Sequence, residues 1–329
     1  MTSVDFSPRA QDQLAPAGFW RRFAAFLVDG LLLALVGNAL GFALFDAMVW
    51  LGAWGRVLGF VIALAYFVPL ESRFGGGRSL GKHWLGIRVV DAAGRALAPA
   101  RAAARFAIFG VPYFLSGAAL PVRAITFARG VPLALLSFGA FTALVYLLVF
   151  NRRTRQSLHD LATGSFVVRV AATPAAGVAA VPLWRGHRAV VIALFVLAGA
   201  LPLAAPKLLR MPLRAGLAAL DERVAAQPEV RSATVFETSS RRYGVGGEST
   251  LRALLIEAAV DAPIADGDPL ATRLAGLALA SLPGAEGEDL IVVRLSHGFD
   301  LGIASSWDSR EFSRDPGQWR DRVAAGVGG

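Results

Sequence analysis

For its first two hundred residues the chain alternates long apolar runs with short polar, basic stretches, and then it changes rhythm. The run from about Phe23 to Phe45 is long enough to cross a bilayer, because about 20 apolar residues in a helix span roughly 30 Å of hydrocarbon. Comparable runs occupy about 54–70, 106–121 and 131–150, and a shorter one occupies 189–205. Residues 46–52 read as a turn, so the first two runs form an antiparallel hairpin. Gly37 and Gly41 have the small-xxx-small spacing that lets helix backbones approach closely. The third run carries Pro112 and is expected to be kinked or tilted.

Beyond residue 207 the pattern is that of a folded polar domain. Leu213, Leu217, Leu220 and Val224 mark an amphipathic helix, and Leu270, Leu274 and Leu277 mark a second. Strands are expected over 230–237, 251–260, 290–295 and 301–306. The order helix, strand, strand, helix, strand, strand suggests helices on one face of a mainly antiparallel sheet. The fold class is therefore an α-helical polytopic membrane domain of about five transmembrane helices plus a C-terminal soluble α+β two-layer domain. Four helices fall within 18–170, a linker covers 171–188, the fifth helix is 189–205, and the α+β domain is 207–329. Residues 1–17, polar and Pro-containing, read as a disordered lead.

Composition supports the membrane reading: 55% of residues are hydrophobic, 17% are charged, and the mean hydropathy is +0.53. There is no cysteine, which excludes disulfides, thiolate metal sites and cysteine nucleophiles. Charge is divided unevenly, with 19 Lys or Arg against 7 Asp or Glu over residues 1–206, and 14 against 17 over 207–329. The basic residues lie between apolar runs, a pattern that sets topology and meets anionic lipid head groups and does not suit nucleic acid. The positive-inside bias puts the N-terminus and both basic segments in the cytoplasm. Five spans then place the last domain outside a bacterial inner membrane. The WRRFAAFL stretch has the look of a twin-arginine export signal, but Asp29 interrupts the apolar run and more spans follow, so it reads as a retained first helix.

Asp29 is the chemical anomaly. A carboxylate at helix depth costs roughly 2.5–3.5 kcal/mol on insertion scales, so it is expected to face a partner inside the bundle. Arg105, Arg88 and His159 are the candidate partners. Arg22 precedes Asp29 by seven residues, two turns and about 10 Å along one helix, too far for a direct pair. Residues 76–82 satisfy GxxxxGK, but His83 follows where a phosphate loop needs Ser or Thr, and a membrane helix precedes. The strand-like segments IRVVD at 87–91 and SFVVRV at 165–170 are expected to pair as a small sheet at the membrane surface. His297 and Asp300 lie near serines without a GxSxG elbow, and Asp266 and Asp268 lack the remaining ligands of an EF-hand. The four histidines show no metal-ligand spacing, so neither an enzyme nor a cofactor nor a metal is expected.

Four motifs in order, GFWRRFAAFLVD at 18–29, GRSLGKHWLGIRVVDAAG at 77–94, Arg105, and SLHDLATGSFVV at 157–168, resemble the RDD family of membrane proteins. The resemblance covers about residues 15–170. It implies an arginine before the first membrane helix, at Arg22 or Arg21, an aspartate within that helix at Asp29, and a second aspartate at Asp160; independently of the resemblance, Arg22 is expected at the cytoplasmic interface with Asp160. It also marks Gly77, Ser79, Gly81 and Lys82 as a motif on the basic side. Ser79 and Ser165 stand where the family usually has Thr, and both keep a hydroxyl. Transport of ions or small solutes has been proposed for the family. Two functions therefore stand: a transporter of a cation, proton or small solute using Asp29, or a non-transporting anchor or sensor whose outer domain binds a partner or ligand.

Overall fold

The computed structural model describes residues 14–116, 127–170, 177–178, 181–208, 216–244, 247–267 and 269–326. Helix α1 (Phe19–Ala43) opens the bundle. It is followed by α2 (Phe45–Leu51), a 3-10 turn at Gly52–Trp54, and α3 (Gly55–Glu71). Residues 46–52, expected to be a turn, are thus mostly helical. Met48, on the inner face of α2, is buried with Phe299 and Leu301 of the C-terminal domain, a partner that the local sequence does not reveal. Next come α4 (Leu80–Trp84), β1 (Ile87–Asp91) and α5 (Pro99–Leu115). Helix α5 begins seven residues before the expected start at 106. Pro99 suits a first helical turn, and Arg101 and Arg105 find acceptors instead of lipid. The expected end at 121 lies outside the described residues.

Helix α6 (Phe127–Ala134) passes through a π-helical turn at Leu135–Ala140 into α7 (Phe141–Phe150). Short α8 (Leu158–Thr163) and β2 (Ser165–Arg169) follow, then α9 (Arg185–Leu208). Among the described residues, three runs are long and apolar enough to cross a membrane: Phe19–Ala43, Phe45–Glu71 and Val131–Phe150. Helix α9 runs antiparallel to α6 and α7. His187 meets Tyr146 near its start, and Gly199 lies against Leu135 and Val131 further on.

Strands β1 and β2 pair antiparallel, Val89 opposite Val167, which is the small sheet expected from the sequence. Residues 14–17 are ordered beside it, contrary to the reading of a disordered lead. The N–H of Ala17 donates to Val167, the N–H of Arg169 donates to Ala15, and Leu14 is buried on Phe166 and Val168. Residues 1–13 lie outside the described part.

The C-terminal domain consists of α10 (Leu217–Ala225), β3 (Val230–Gly244), β4 (Gly247–Val260), α11 (Pro269–Ser281), β5 (Leu290–Asp300), β6 (Ser305–Arg314) and α12 (Pro316–Gly326). The sheet order is β3-β4-β5-β6, with β4 and β5 parallel and the other pairs antiparallel. The helices pack one face of the sheet around Leu220, Leu254, Leu274, Ile291 and Trp319. The indole N–H of Trp319 donates to the Ile291 carbonyl at 2.9 Å and ties down α12, which the sequence pattern did not announce.

The expected strand at 301–306 is largely the β5–β6 turn. Leu301 is fully buried, but its cover comes from the membrane helices and not from the sheet core. The turn sits at the end of the bundle opposite to β1 and β2, in a slot whose walls are bare backbone. A Cβ on Gly37 or Gly41 of α1 would collide with Ala304 or Phe299, and one on Gly55 or Gly59 of α3 with the carbonyls of Asp300 or Leu301. The spacing at Gly37 and Gly41 therefore serves a close approach, but to a turn and not to another helix. Arg56 of α3 closes the slot, donating to the Asp300 carboxylate and to the Phe114 carbonyl, each at 2.9 Å. The Tyr113 hydroxyl donates to Gly302, and Ile303 packs on the cluster that contains Leu33, Phe67 and Phe106.

Candidate functional site

The site forms at the other end of the bundle, where α1, α3, α4, α5 and α8 converge. Gly77 has φ +78, and a Cβ there would strike the Val89 carbonyl, so the chain turns tightly into α4 only with glycine at this position. Ser79 precedes the first turn of α4, and Gly81 lies so close to α1 that a Cβ would meet the Ala25 carbonyl. This contact brings the first turn of α4 onto Asp29. The carboxylate accepts from the Ser79 hydroxyl at 2.5 Å, the Gly81 N–H at 2.7 Å and the Tyr66 hydroxyl at 2.7 Å. Lys82 stands 3.8 Å away, and Asp29 has no exposed surface. The GxxxxGK stretch thus presents a helix start to an anion, as such starts generally can, but the anion is the protein's own side chain.

From Asp29 an unbroken chain of charges circles the bundle. Lys82 pairs with Glu71 at the end of α3, and Glu71 pairs with Arg105 of α5. Arg105 reaches Asp160 of α8 at 2.8 Å, and Asp160 meets Arg22 of α1 at 2.6 Å. Arg22 and Asp29, too distant for each other within one helix, are joined through four intermediaries on four other segments. Three cations alternate with three carboxylates, and each is largely removed from water. Such a chain is strongly destabilised when one member is lost, because the neighbouring charge stays buried and unpaired.

Asp160 is fixed locally as well, for it accepts the Ser157 N–H at 3.0 Å in the reach-back geometry of a capping box. Gly164 ends α8 in the left-handed region at φ +58. Burial alone would raise the Asp160 pKa, but Arg22 and the other neighbouring positive groups outweigh it and hold this carboxyl well below the usual range. His159 behaves oppositely: burial, together with Arg105 and Arg22, pushes its pKa down to about 3 against the opposing pull of Asp160, so the ring is neutral. An arginine can only donate, so the Arg105 contact to His159 Nε2 at 2.9 Å makes Nε2 an acceptor.

These residues are the deciding pattern, and residues 16–164 match the family model described as RDD family. This is a membrane protein with an RDD-family domain. No curated protein matches the chain, and the family match stops before the C-terminal domain.

Of the RDD residues expected from sequence, Arg22 and Asp160 are in direct contact, and Asp29 joins them only through the chain. The expected pairing of Asp29 with Arg105, Arg88 or His159 is not what the fold provides. Arg105 is taken by Glu71 and Asp160, and His159 lies on Arg105. Arg88 sits on β1, its buried Nε without a hydrogen-bond partner among the described residues. Arg21 is exposed. Sequence reasoning missed Tyr66 and Glu71. Glu71 carried a usable signal, a lone acid closing an apolar run directly before a segment rich in cations. Tyr66 carried none, since a tyrosine in an apolar helix reads as packing. In the C-terminal domain, His297 turns Nδ1 to the Val260 carbonyl and Asp300 is bound to Arg56.

Proposed function

We propose that the RDD bundle is a non-transporting anchor that grips the C-terminal domain by its β5–β6 turn, so that binding of a partner or ligand by that domain is felt by the helices. The observation that carries this reading is the seating of Asp300–Ala304 in the glycine slot between α1 and α3, locked by Arg56. The enclosed, fully hydrogen-bonded Asp29 supports it, because a carboxylate that cycles a proton or holds an ion needs a route to water. In this reading α5 and α9 complete five spans in a bacterial inner membrane. The basic end then lies in the cytoplasm by the positive-inside bias, and the C-terminal domain lies outside.

The transport reading has one observation in its favour, a cavity that touches the charged chain at Arg22, Lys82 and Arg105. The two readings separate in proteoliposomes. Ion-dependent proton flux is expected to match empty vesicles for both wild type and Asp29→Asn. Flux in wild type that vanishes in a folded Asn variant would replace the anchor with a transporter.

A further inference from the structure

Between α1 and α7, with α3 and α5 behind them, lies a cavity of about 400 Å³, within the size range of small-molecule sites. Phe67 and Phe106 form its buried back wall, while Phe23, Phe26, Val145 and Val149 stand partly exposed at its rim. Both rim helices belong to runs long and apolar enough to cross a bilayer, so in a membrane the opening would lie against lipid. One end of the cavity is different in kind. Arg22, Lys82, Arg105 and Glu71 line it, together with His159, whereas Asp29 and Asp160 are fully enclosed and do not line it. A guest therefore meets three cations and one carboxylate, and the two balancing carboxylates lie out of its reach.

We propose that this cavity binds the acyl chain of an anionic membrane lipid, with the chain between Phe106 and Val145 and the head group drawn to Arg22 and Lys82. The aromatic and aliphatic wall gives a water-soluble anion nothing to match, and a neutral lipid brings no anion to the three cations that line the charged end of the cavity. The bilayer delivers the occupant sideways, through the gap between α1 and α7, without a passage through water. This site does not depend on how the C-terminal domain is held.

Native mass spectrometry of the delipidated full-length protein tests the assignment, using phosphatidylglycerol, phosphatidylcholine with the same chains, and inorganic phosphate as probes. One phosphatidylglycerol per chain is expected to survive activation, with a preference of several-fold over phosphatidylcholine, because the three cations that face the cavity are already paired with carboxylates and attract less than free surface cations would. Phosphate alone is expected to leave no adduct. Val145→Trp and Leu148→Trp, which fill the cavity without touching the charged chain, are expected to abolish retention at unchanged melting temperature. Equal retention of the two lipids would mean ordinary annular lipid and would overturn the proposal. So would a phosphate adduct in the absence of a chain, or undiminished retention in folded filled variants. The comparison of the two lipids on wild-type protein decides the matter even if both tryptophan variants fail to fold.

Discussion

At the residue scale, Asp29 is held by three hydrogen bonds from two hydroxyls and a backbone N–H, with Lys82 behind them. Asparagine can keep the oxygen that accepts from Tyr66 and Gly81, but it turns an amide donor toward Ser79 and Lys82. Asp29→Asn is therefore expected to cost about 1–3 kcal/mol, and Asp29→Ala about 3–5 kcal/mol because Lys82 and the helix start lose their anion altogether. Denaturant unfolding in detergent measures both, and an Asn variant as stable as wild type would mean that the negative charge is unused. His159 gives a pH signature. Its folded pKa of about 3 lies below its ordinary value, so the unfolded chain binds more protons between them. The stability it contributes is complete above about pH 6.5 and is lost as the pH falls toward 3. Asp160, whose pKa is also depressed, adds its loss only below the ordinary carboxylate range. Arg22, Arg105 and Glu71 complete the ring's charged surroundings. Melting temperature measured from pH 7 to 4.5 is expected to fall more steeply for wild type than for His159→Gln, and parallel curves would show that the folded ring takes up its proton at the same pH as the unfolded one.

At the element scale, the slot for the β5–β6 turn depends on the absence of side chains. Gly59→Val puts a branched side chain where the Leu301 carbonyl lies and is expected to expel the turn. In this cysteine-free protein, Ile303→Cys reports on that directly. It should react slowly with a bulky thiol reagent in the wild-type background and at least several-fold faster with Gly59→Val. Equal rates would show that the turn is not held.

The same elements show what the sequence could and could not disclose. Apolar runs placed α1, α3 and α7, and alternation placed β1, β2 and most of the C-terminal sheet, because those signals arise from a segment's own burial. The turn at 301–304 carries the pattern of a strand, because Leu301 and Ile303 alternate with small residues as strand residues do. Their burial comes from a domain some 250 residues earlier, which no local period records. The site was legible as a set of residues but not as a wiring diagram. Arg22, Asp29 and Asp160 stood out by charge in apolar surroundings, whereas the choice of Lys82 over Arg105 for Asp29 is made by Gly81, whose small size lets α4 approach α1.

At the scale of the whole molecule, the charged chain and the turn slot lie at opposite ends of one bundle. Helix α9 carries the polypeptide from the first end to the second, where the C-terminal domain sits. Given the positive-inside assignment, Ala93→Cys and Asp308→Cys, both at exposed positions, are expected to behave oppositely in intact cells. A membrane-impermeant thiol reagent should label Asp308→Cys from outside and Ala93→Cys only after lysis, and the reverse pattern would invert the topology. The bundle itself is tied at both ends, by ion pairs at one and by a borrowed turn at the other.

The glycine slot also bears on how the molecule can be taken apart. A truncation that ends at α9 would uncover a strip of backbone on α1 and α3, with Arg56 deprived of its carboxylate. Such a fragment is expected to misassemble or to capture a foreign hairpin. Grafting another module onto the same helices would face the mirror-image problem, for the donor would need a five-residue loop that presents a carboxylate, then a left-handed glycine between two large aliphatic side chains, and last a small residue, as Asp300, Leu301, Gly302, Ile303 and Ala304 do here. The two halves of this chain are therefore not interchangeable parts on a common socket. They are a mould and its casting, and any working hybrid would have to inherit both surfaces together.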